Sequence, residues 1–450
     1  MLDRRSRVIA AINIASAVDS ADGALLPAVY GALESELEMG PGVLGQLALY
    51  SSLAATLSLP IWGQVADQRR SVGGRVQLLI GGCVAWAVLT ALTGLTSSFW
   101  DLCLLRSLNA VALAMINPVA GSLIADLHPA EQRGRAFGIN EVCKSTGSII
   151  GAYLAGKSGA MLGSWRYAFF GFGIVALCAA LCIRCLAYDS MAHTSDAPES
   201  GRSVAPRVGV GRALQVVCSS ATFRLIVLHG VFGSIPYHSL GFLALWFQSG
   251  GVKDAGLAAA LGSSLRVGGI VGNILGGKLG DMAAHRSPLH GRVYVAQLAD
   301  VLRLPLVYLI FHVGVQNGSG SMAAALLFLI GCIAPWVNVG ANRPILSEII
   351  SPSLRARIFG YQLGLEGISA SLFGAPLVGH LAERVYGYHR PAKGEAWRHS
   401  DHVALGNAMF VCVMGPWMFC AFLFTLIHFT YPHEAQRGQK IGEKEVEEVV

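Results

Sequence analysis

Residues Gly63 to Arg75 read GQVADQRRSVGGR, a short polar turn rich in arginine between two apolar runs. The sequence is hydrophobic up to Trp62 and becomes hydrophobic again at Val76. A second copy, GGKLGDMAAHRSPLHGR from Gly276 to Arg292, lies about 214 residues later. In it Gly277, Leu279 and Asp281 repeat the spacing of Gly63, Val65 and Asp67. Glycine at such a helix end lets two helices approach closely. The acid closes the helix, and Arg69, Arg70 and Arg75 follow it. A Gly-x-x-x-Asp turn with basic residues, present once in each half of an apolar chain, signals an internally duplicated transporter.

A second pair of motifs supports the same division. ADLHPAEQRGRAFG carries Asp126, Arg133, Arg135, Phe137 and Gly138. SEIISPSLRARIFG carries Glu348, Arg355, Arg357, Phe359 and Gly360. Acid and first arginine are seven residues apart in both, and Arg-x-Arg-x-Phe-Gly repeats. Two motif pairs in the same order argue for duplication rather than chance.

The composition fits a lipid solvent. Of 450 residues 53% are hydrophobic and only 13% are charged, about half the charge of a soluble chain. Twelve apolar spans of about 20 residues or more are long enough to cross a hydrocarbon core. In the first half they run Val8–Ala32, Leu44–Gly63, Val76–Thr96, Leu102–Asp126, Phe137–Ala160 and Trp165–Tyr188. In the second they run Phe223–Gln248, Gly256–Leu279, Val293–Val313, Met322–Asn342, Ile358–Glu383 and Leu405–Phe429. The expected organisation is a six-helix half over 1–188, a linker over 189–211, a second six-helix half over 212–430 and a tail over 431–450. The linker is rich in Ser, Pro and Gly, and the charged tail reads as disordered or as a short helix in water. The first span has no small-residue cleavage site and is expected to be retained.

The net charge of +6 is read as topology, because no basic cluster is interleaved with aromatics as a nucleic-acid surface would be. About 22 of the 33 Lys and Arg fall in the N-terminus, the even-to-odd loops, the linker and the tail. The first loop on the other side carries Glu34, Glu36 and Glu38 and no base. Both termini are therefore expected in the cytoplasm. The ten cysteines have no metal-ligand spacing; most fall inside apolar runs (Cys83, Cys103, Cys143, Cys178, Cys332, Cys412) and are assigned to packing, with acylation an alternative for Cys182 and Cys185 near a helix end. His389, His399 and His402 lack a companion acid or cysteine at zinc-ligand spacing, so no metal and no cofactor is assigned.

Taken together, these motifs resemble the major facilitator superfamily over essentially the whole chain. That resemblance implies an all-α membrane fold of twelve helices in two pseudo-symmetric halves. Gly63, Asp67 and Arg75 match its loop motif, with Gln68 where Arg is usual; Gly277, Leu279 and Asp281 match the second copy. The opening DSADGALLPAVY and the fourth span, with Arg106, Pro118 and Asp126, are most similar to Spinster-like carriers. Those carriers are associated with lysolipids and sphingoid lipids. They often place Glu seven residues after the span-four arginine; here that residue is Leu113. Gly147, Gly151 and Gly156 resemble the drug–proton antiporter motif of span five, but Ala152 stands where Pro is expected.

Each charge inside a span needs a reason, since insertion costs about 2.5–3.5 kcal/mol per group. Asp19 and Asp22 lie three apart on one face of the first span. A desolvated carboxylate there suits proton coupling or a cationic substrate. Asp22 is preferred, because its spacing to Pro27 fits the family better. Arg106 is the expected partner, able to hold an anionic head group or to pair with an aspartate between substrate visits. Tyr237, His238, Trp336 and Asn338 are polar groups suited to a cavity near Pro236 and Pro335. Glu141 with Lys144, and Asp300 with Arg303, are each three apart and read as structural pairs; Lys144 and Glu366 occupy equivalent positions. Arg266 is placed to reach span five. The cytoplasmic gate is assigned to Gly63, Asp67, Arg75, Asp126, Arg133, Arg135, Gly277, Asp281, Glu348, Arg355 and Arg357.

The chain thus reads as a monomeric secondary transporter, not an enzyme. It moves a small organic or amphiphilic solute, lysolipid-like in one version, through the bilayer by alternating access, with protons as a candidate coupling ion. The alternative is a receptor that senses ligand through the same cavity.

Overall fold

The computed structural model describes residues 4–68, 72–128, 130–186, 219–313, 320–349, 352–391 and 395–447. The linker lies outside the described residues. Among those described, regular structure is helical throughout, with no strand. That is the expected solution in lipid, where each backbone polar group must find its partner within its own segment.

Among the described residues twelve helical segments follow in chain order and are numbered one Arg4–Ala28, two Pro41–Gln68, three Val72–Thr93, four 99–127, five Ala130–Leu162, six Arg166–Leu186, seven 221–249, eight 255–286, nine Gly291–Val313, ten 321–349, eleven 352–385 and twelve His399–Glu447. Ten are long and apolar enough to span a bilayer by composition alone. The other two occupy the fifth position, Ala130–Leu162, and the eleventh, which opens with Pro352–Phe373. The protein is an integral, multi-pass membrane protein. Apolar side chains such as Ile61, Leu104, Ile174, Leu181, Ile274 and Phe422 stay exposed on its flanks. In water they would be an aggregation hazard; in acyl chains they are ordinary surface.

Several crossings are broken, and local sequence explains each break. The fourth splits at Met115 into Phe99–Ala114 and Ile116–Leu127, three residues before Pro118, which cannot donate to the preceding turn. The seventh starts as Ala221–Ser239 and narrows to a 3-10 turn, Leu240–Phe242, after Pro236. The tenth passes from Ser321–Ile333 through a π-helical segment, Trp336–Asn342, that begins directly after Pro335. Helix ends are capped as their residues require. Ser98 accepts from the Asp101 N–H, Ser220 from Phe223, and Asp254 from Gly256 and Leu257. The twelfth helix, His399–Glu447, runs well past the expected span end at Phe429. It absorbs most of the sequence assigned to the tail, and Glu434 on it accepts from Ser220 and Ala221 at the start of helix seven.

Three apolar cores hold the bundle. One lies within the N-terminal half and includes Ile12, Trp86, Leu123 and Ile183. One lies within the C-terminal half and includes Phe223, Ile345, Phe424 and Tyr431. The largest draws on both halves, bringing Leu25, Tyr30, Leu47 and Phe169 together with Phe242, Trp246, Val378 and Trp417. The shared core lies toward the end opposite the termini, called distal below. The halves are thus joined distally, while each keeps its own core toward the terminal end. Gly45 and Gly379 make the junction close. A Cβ on Gly45 would stand 2.7 Å from the Ala375 carbonyl oxygen, and one on Gly379 2.3 Å from that of Pro41. Only glycine allows helices two and eleven to touch backbone to backbone here.

Candidate functional site: a buried Asp–Arg pair and a distal latch

Asp22 is fully buried, and its Oδ2 lies 3.1 Å from Nη1 of Arg106. Thr90 on the third helix donates to Asp22 Oδ1 at 2.9 Å, and Asn109 on the fourth donates to Thr90 at 2.6 Å. Three helices of one half therefore converge on a single carboxylate. Phe169 covers the Arg106 guanidinium, with its ring centre 5.9 Å away. The first helix is held in place by the fifth. A Cβ on Gly147 or Gly151 would run into the backbone of Ala17 or Ala21. Asp19, one turn earlier, is half-buried and within electrostatic reach of Asp22 and Lys144. Lys144 itself donates to Asn117 and to Glu141, both at 3.0 Å.

The other candidates are dispersed. Tyr237 packs edge-on against Trp417, 6.1 Å between ring centres, within reach of Arg303. His238 lies against Gly374 of helix eleven. Trp336 lies close to Gly276 of helix eight, where a Cβ would stand 2.8 Å from the Trp336 Cα and 3.0 Å from its Cδ1. Asn338 is exposed and accepts from Asn342 at 3.2 Å. Lys157, not Arg266, supplies the ion pair between helix five and the start of helix eight, with Asp254 as its partner. Asp300 pairs with Arg303 as expected, but His229 also reaches that carboxylate, a contact the sequence did not announce. Cys83, Cys103, Cys412 and Cys420 are buried, whereas Cys178, Cys182 and Cys185 are exposed on helix six, which corrects the assignment of Cys178 to packing.

At the terminal end the second motif copy is a relay within one half. Arg292 lies 3.0 Å from Asp281 and 3.8 Å from Glu348, and Tyr431 donates to Glu348. Gly277 faces Val339 of helix ten, and Arg75 is buried in the first copy. The surroundings of Gly63 and the side chains of Asp67, Asp126, Arg133, Arg135, Arg355 and Arg357 lie outside what the structure describes.

Contacts that cross between the halves gather at the distal end. Glu34, 1% exposed, accepts from Tyr388 Oη at 2.7 Å and from Trp397 Nε1 at 3.0 Å. Glu38 pairs with Arg390 at 3.1 Å, and Glu383 accepts from the Gly42 N–H at 2.8 Å. Glu36 stays within its half, 3.1 Å from Arg166 and accepting from Trp165. Burial pushes the Glu34 carboxyl from 4.5 up to about 7, against the pull of its two donors and of Arg390. An open cavity of about 480 Å³ adjoins the latch, lined by Gly40, Glu383, Arg384, Tyr388, His389 and Arg390.

Comparison with known proteins accounts for this architecture. Residues 12–375 match the profile of the Major Facilitator Superfamily. The chain belongs to that superfamily. Its relatives include "Multidrug resistance protein MdtG" of Proteus mirabilis (strain HI4320), 24% identical over 346 residues, covering 76% of this chain and 78% of that one. "Protein spinster homolog 1" of Homo sapiens is 24% identical over 400 residues, covering 85% and 74%. Among solved structures, a bacterial homolog to the human lysosomal transporter Spinster, in an inward-facing and occupied conformation, superposes with a TM-score of 0.70. It shares 20% identity over 97% of this chain and 98% of that one. The nucleoside transporter NupG gives a TM-score of 0.66 at 14% identity, covering 96% and 99%. The superfamily is one of transporters, and the major facilitator fold read from the repeated motifs is the fold observed.

Proposed function

We propose that this protein is a secondary carrier for a small organic or amphiphilic solute, with Asp22 and Arg106 as its switch. The observation that carries the proposal is the buried pair itself. Two charges placed inside a membrane half are costly to bury and call for a task. The chemistry follows from the pair. A proton on Asp22 removes the counter-charge of Arg106, and the guanidinium is then free to take an anionic head group in its planar fork. Loss of that proton from Asp22 restores the carboxylate, re-forms the pair and releases the cargo. Each form of the pair favours one arrangement of the two halves, which gives alternating access around a fixed site. We further propose that the terminal end faces the cytoplasm.

Uptake by the purified chain in liposomes, under an imposed pH gradient, tests this reading. Two probes are used, a fluorescent lysophosphatidic acid, whose head group is anionic, and the cationic dye ethidium. The expected result is gradient-driven accumulation of the lysolipid. Asp22→Asn abolishes that accumulation while leaving exchange at least partly intact, and Arg106→Gln weakens binding. Accumulation of ethidium alone would assign a cationic drug-like cargo, in line with the name of the multidrug relatives. Binding without accumulation would favour the receptor.

A further inference from the structure

A second buried ionic cluster lies in the C-terminal half, apart from Asp22 and Arg106. Asp300 on helix nine is fully buried. Arg303, one turn on, pairs with its Oδ1. His229 on helix seven presents Nε2 to its Oδ2 at 3.1 Å. Helix ten contributes Asn342, whose Nδ2 lies 3.5 Å from His229 Nδ1 and donates to Asn338 Oδ1. Helix twelve contributes Phe424, 4.7 Å from the imidazole, Cys420, which donates to the His229 carbonyl, and Trp417, over which Arg303 lies at 4.4 Å. Tyr237 is within reach of Arg303. Helix eleven contributes Glu366, which packs over Gly230 beside His229; a Cβ at residue 230 would stand 1.9 Å from Glu366 Oε1. Gln362 donates to that same oxygen, and both His229 and Arg343 are within electrostatic reach of Glu366.

A permanent ion pair would need only Asp300 and Arg303, whose charges already cancel. His229 adds a third ionisable group, and its surroundings define two states. Nε2 faces the Asp300 carboxylate at 3.1 Å and Nδ1 faces the Asn342 amide nitrogen at 3.5 Å, an arrangement that suits a ring with its N–H on Nε2. A proton on Nδ1 would need an acceptor in place of the Asn342 amide N–H. The Asn342 Oδ1 is that acceptor, and it is buried without a hydrogen-bond partner. A turn of the amide would give it one, at the expense of the bond to Asn338. Asn342 sits at the end of the π-helical segment Trp336–Asn342, a form found disproportionately at functional positions.

We propose that His229, Asp300 and Arg303 form a second proton-binding site, loaded through Glu366. The proton leaves the Glu366 carboxyl, which becomes a carboxylate, and binds His229 Nδ1, which becomes an imidazolium held between Asp300 and the turned Asn342. No other bond forms or breaks. The site does not depend on the identity of the cargo, and its test needs no transport.

Infrared difference spectra of the purified full chain with ring-labelled histidine, between about pH 8 and about pH 5, read the imidazole directly. His229→Gln keeps a donor for Asp300 and removes the titrating ring. It should lose one labelled imidazolium signal and take up about one proton fewer. Asn342→Leu should lower the proton affinity of the same ring about tenfold. Glu366→Gln should slow its protonation while leaving the final spectrum unchanged. Spectra of His229→Gln identical to the parent would mean a fixed ion pair and overturn the inference. Should His229→Gln fail gel filtration as a folded protein, Asn342→Leu decides: an unshifted midpoint overturns the inference equally.

Discussion

Removing either charge of the Asp22–Arg106 pair leaves the other buried without a counter-charge, which costs about 3–5 kcal/mol in a buried site. Asp22→Asn and Arg106→Gln should each lower the thermal unfolding midpoint sharply. The double variant should regain most of the loss, because its neutral groups can still bond to Thr90 and to each other. A thermal-shift cycle over the four proteins checks this, and additive losses would mean the pair does not act as a unit. Glu34 makes a second prediction at the same scale. Its carboxyl is held up to about 7 in the latched state and ionises at its ordinary value once the distal face opens and water enters. The latched state therefore binds the extra proton between those values. Falling pH strengthens the latch, rising pH weakens it by about 1.4 kcal/mol per unit, and above pH 7 the latch is at its weakest. Spin-label distances between Leu37 and Tyr386 should lengthen as pH rises, and Glu34→Gln should flatten that response. The Asp22–Arg106 pair was legible in the sequence because a charge in an apolar run stands out. The latch was not. Glu34, Glu36 and Glu38 read as a topology signal, and the residues that Glu34 meets lie about 350 positions away in a loop with no periodic pattern. The contact of His229 with Asp300 was missed for the same reason, since nothing local ties the two positions.

Helices in this protein are positioned by glycine as much as by large side chains. Gly268, Gly272, Gly276 and Gly280 form a buried stripe along helix eight. At Gly272 a Cβ would stand 2.6 Å from the carbonyl oxygens of Gly331 and Cys332 on helix ten. These are backbone atoms that cannot swing aside, so Gly272→Val must push the two helices apart. We expect a loss of about 1–3 kcal/mol or more in stability, of the order seen for overpacked interiors, with far smaller effects from the same change at Gly269, where no atom lies within 4 Å. Folded yield after detergent extraction separates the two. Gly156 belongs to the same class but sits between the halves, where a Cβ would meet the Ala255 carbonyl oxygen at 2.5 Å. The glycine spacing of helix five was visible in the sequence as an incomplete antiporter motif. Its physical meaning needed the structure: Gly147 and Gly151 seat helix one, and Gly156 closes the distal seam.

At the scale of the whole molecule, the two ends are built for opposite states. The distal end is latched by Glu34, Glu38 and Glu383, while Asp281 at the terminal end is exposed and held to the side by Arg292. The duplicated motif predicts a second position for each acid. When the terminal end closes, Asp281 can meet the first N–H groups of helix five, and Asp67 those of helix eleven. In the structure Asp281 pairs within its own half, with Arg292. Charge-assisted contacts of this kind contribute about 1.5–3 kcal/mol when shielded from water, enough to change the ratio of two states by roughly tenfold or more. Asp67→Asn and Asp281→Asn should therefore raise the distally closed population and slow turnover, with little loss of folded protein. Glu38→Gln with Glu383→Gln should do the reverse, and combining the two sets should restore the parental ratio, since both act on one equilibrium. Distances between spin labels on the terminal ends of helices two and eleven provide the measure. An unaltered distribution in Asp67→Asn, beside poor folding, would reduce the acid to a helix cap and leave the latch as the only gate that the two halves share.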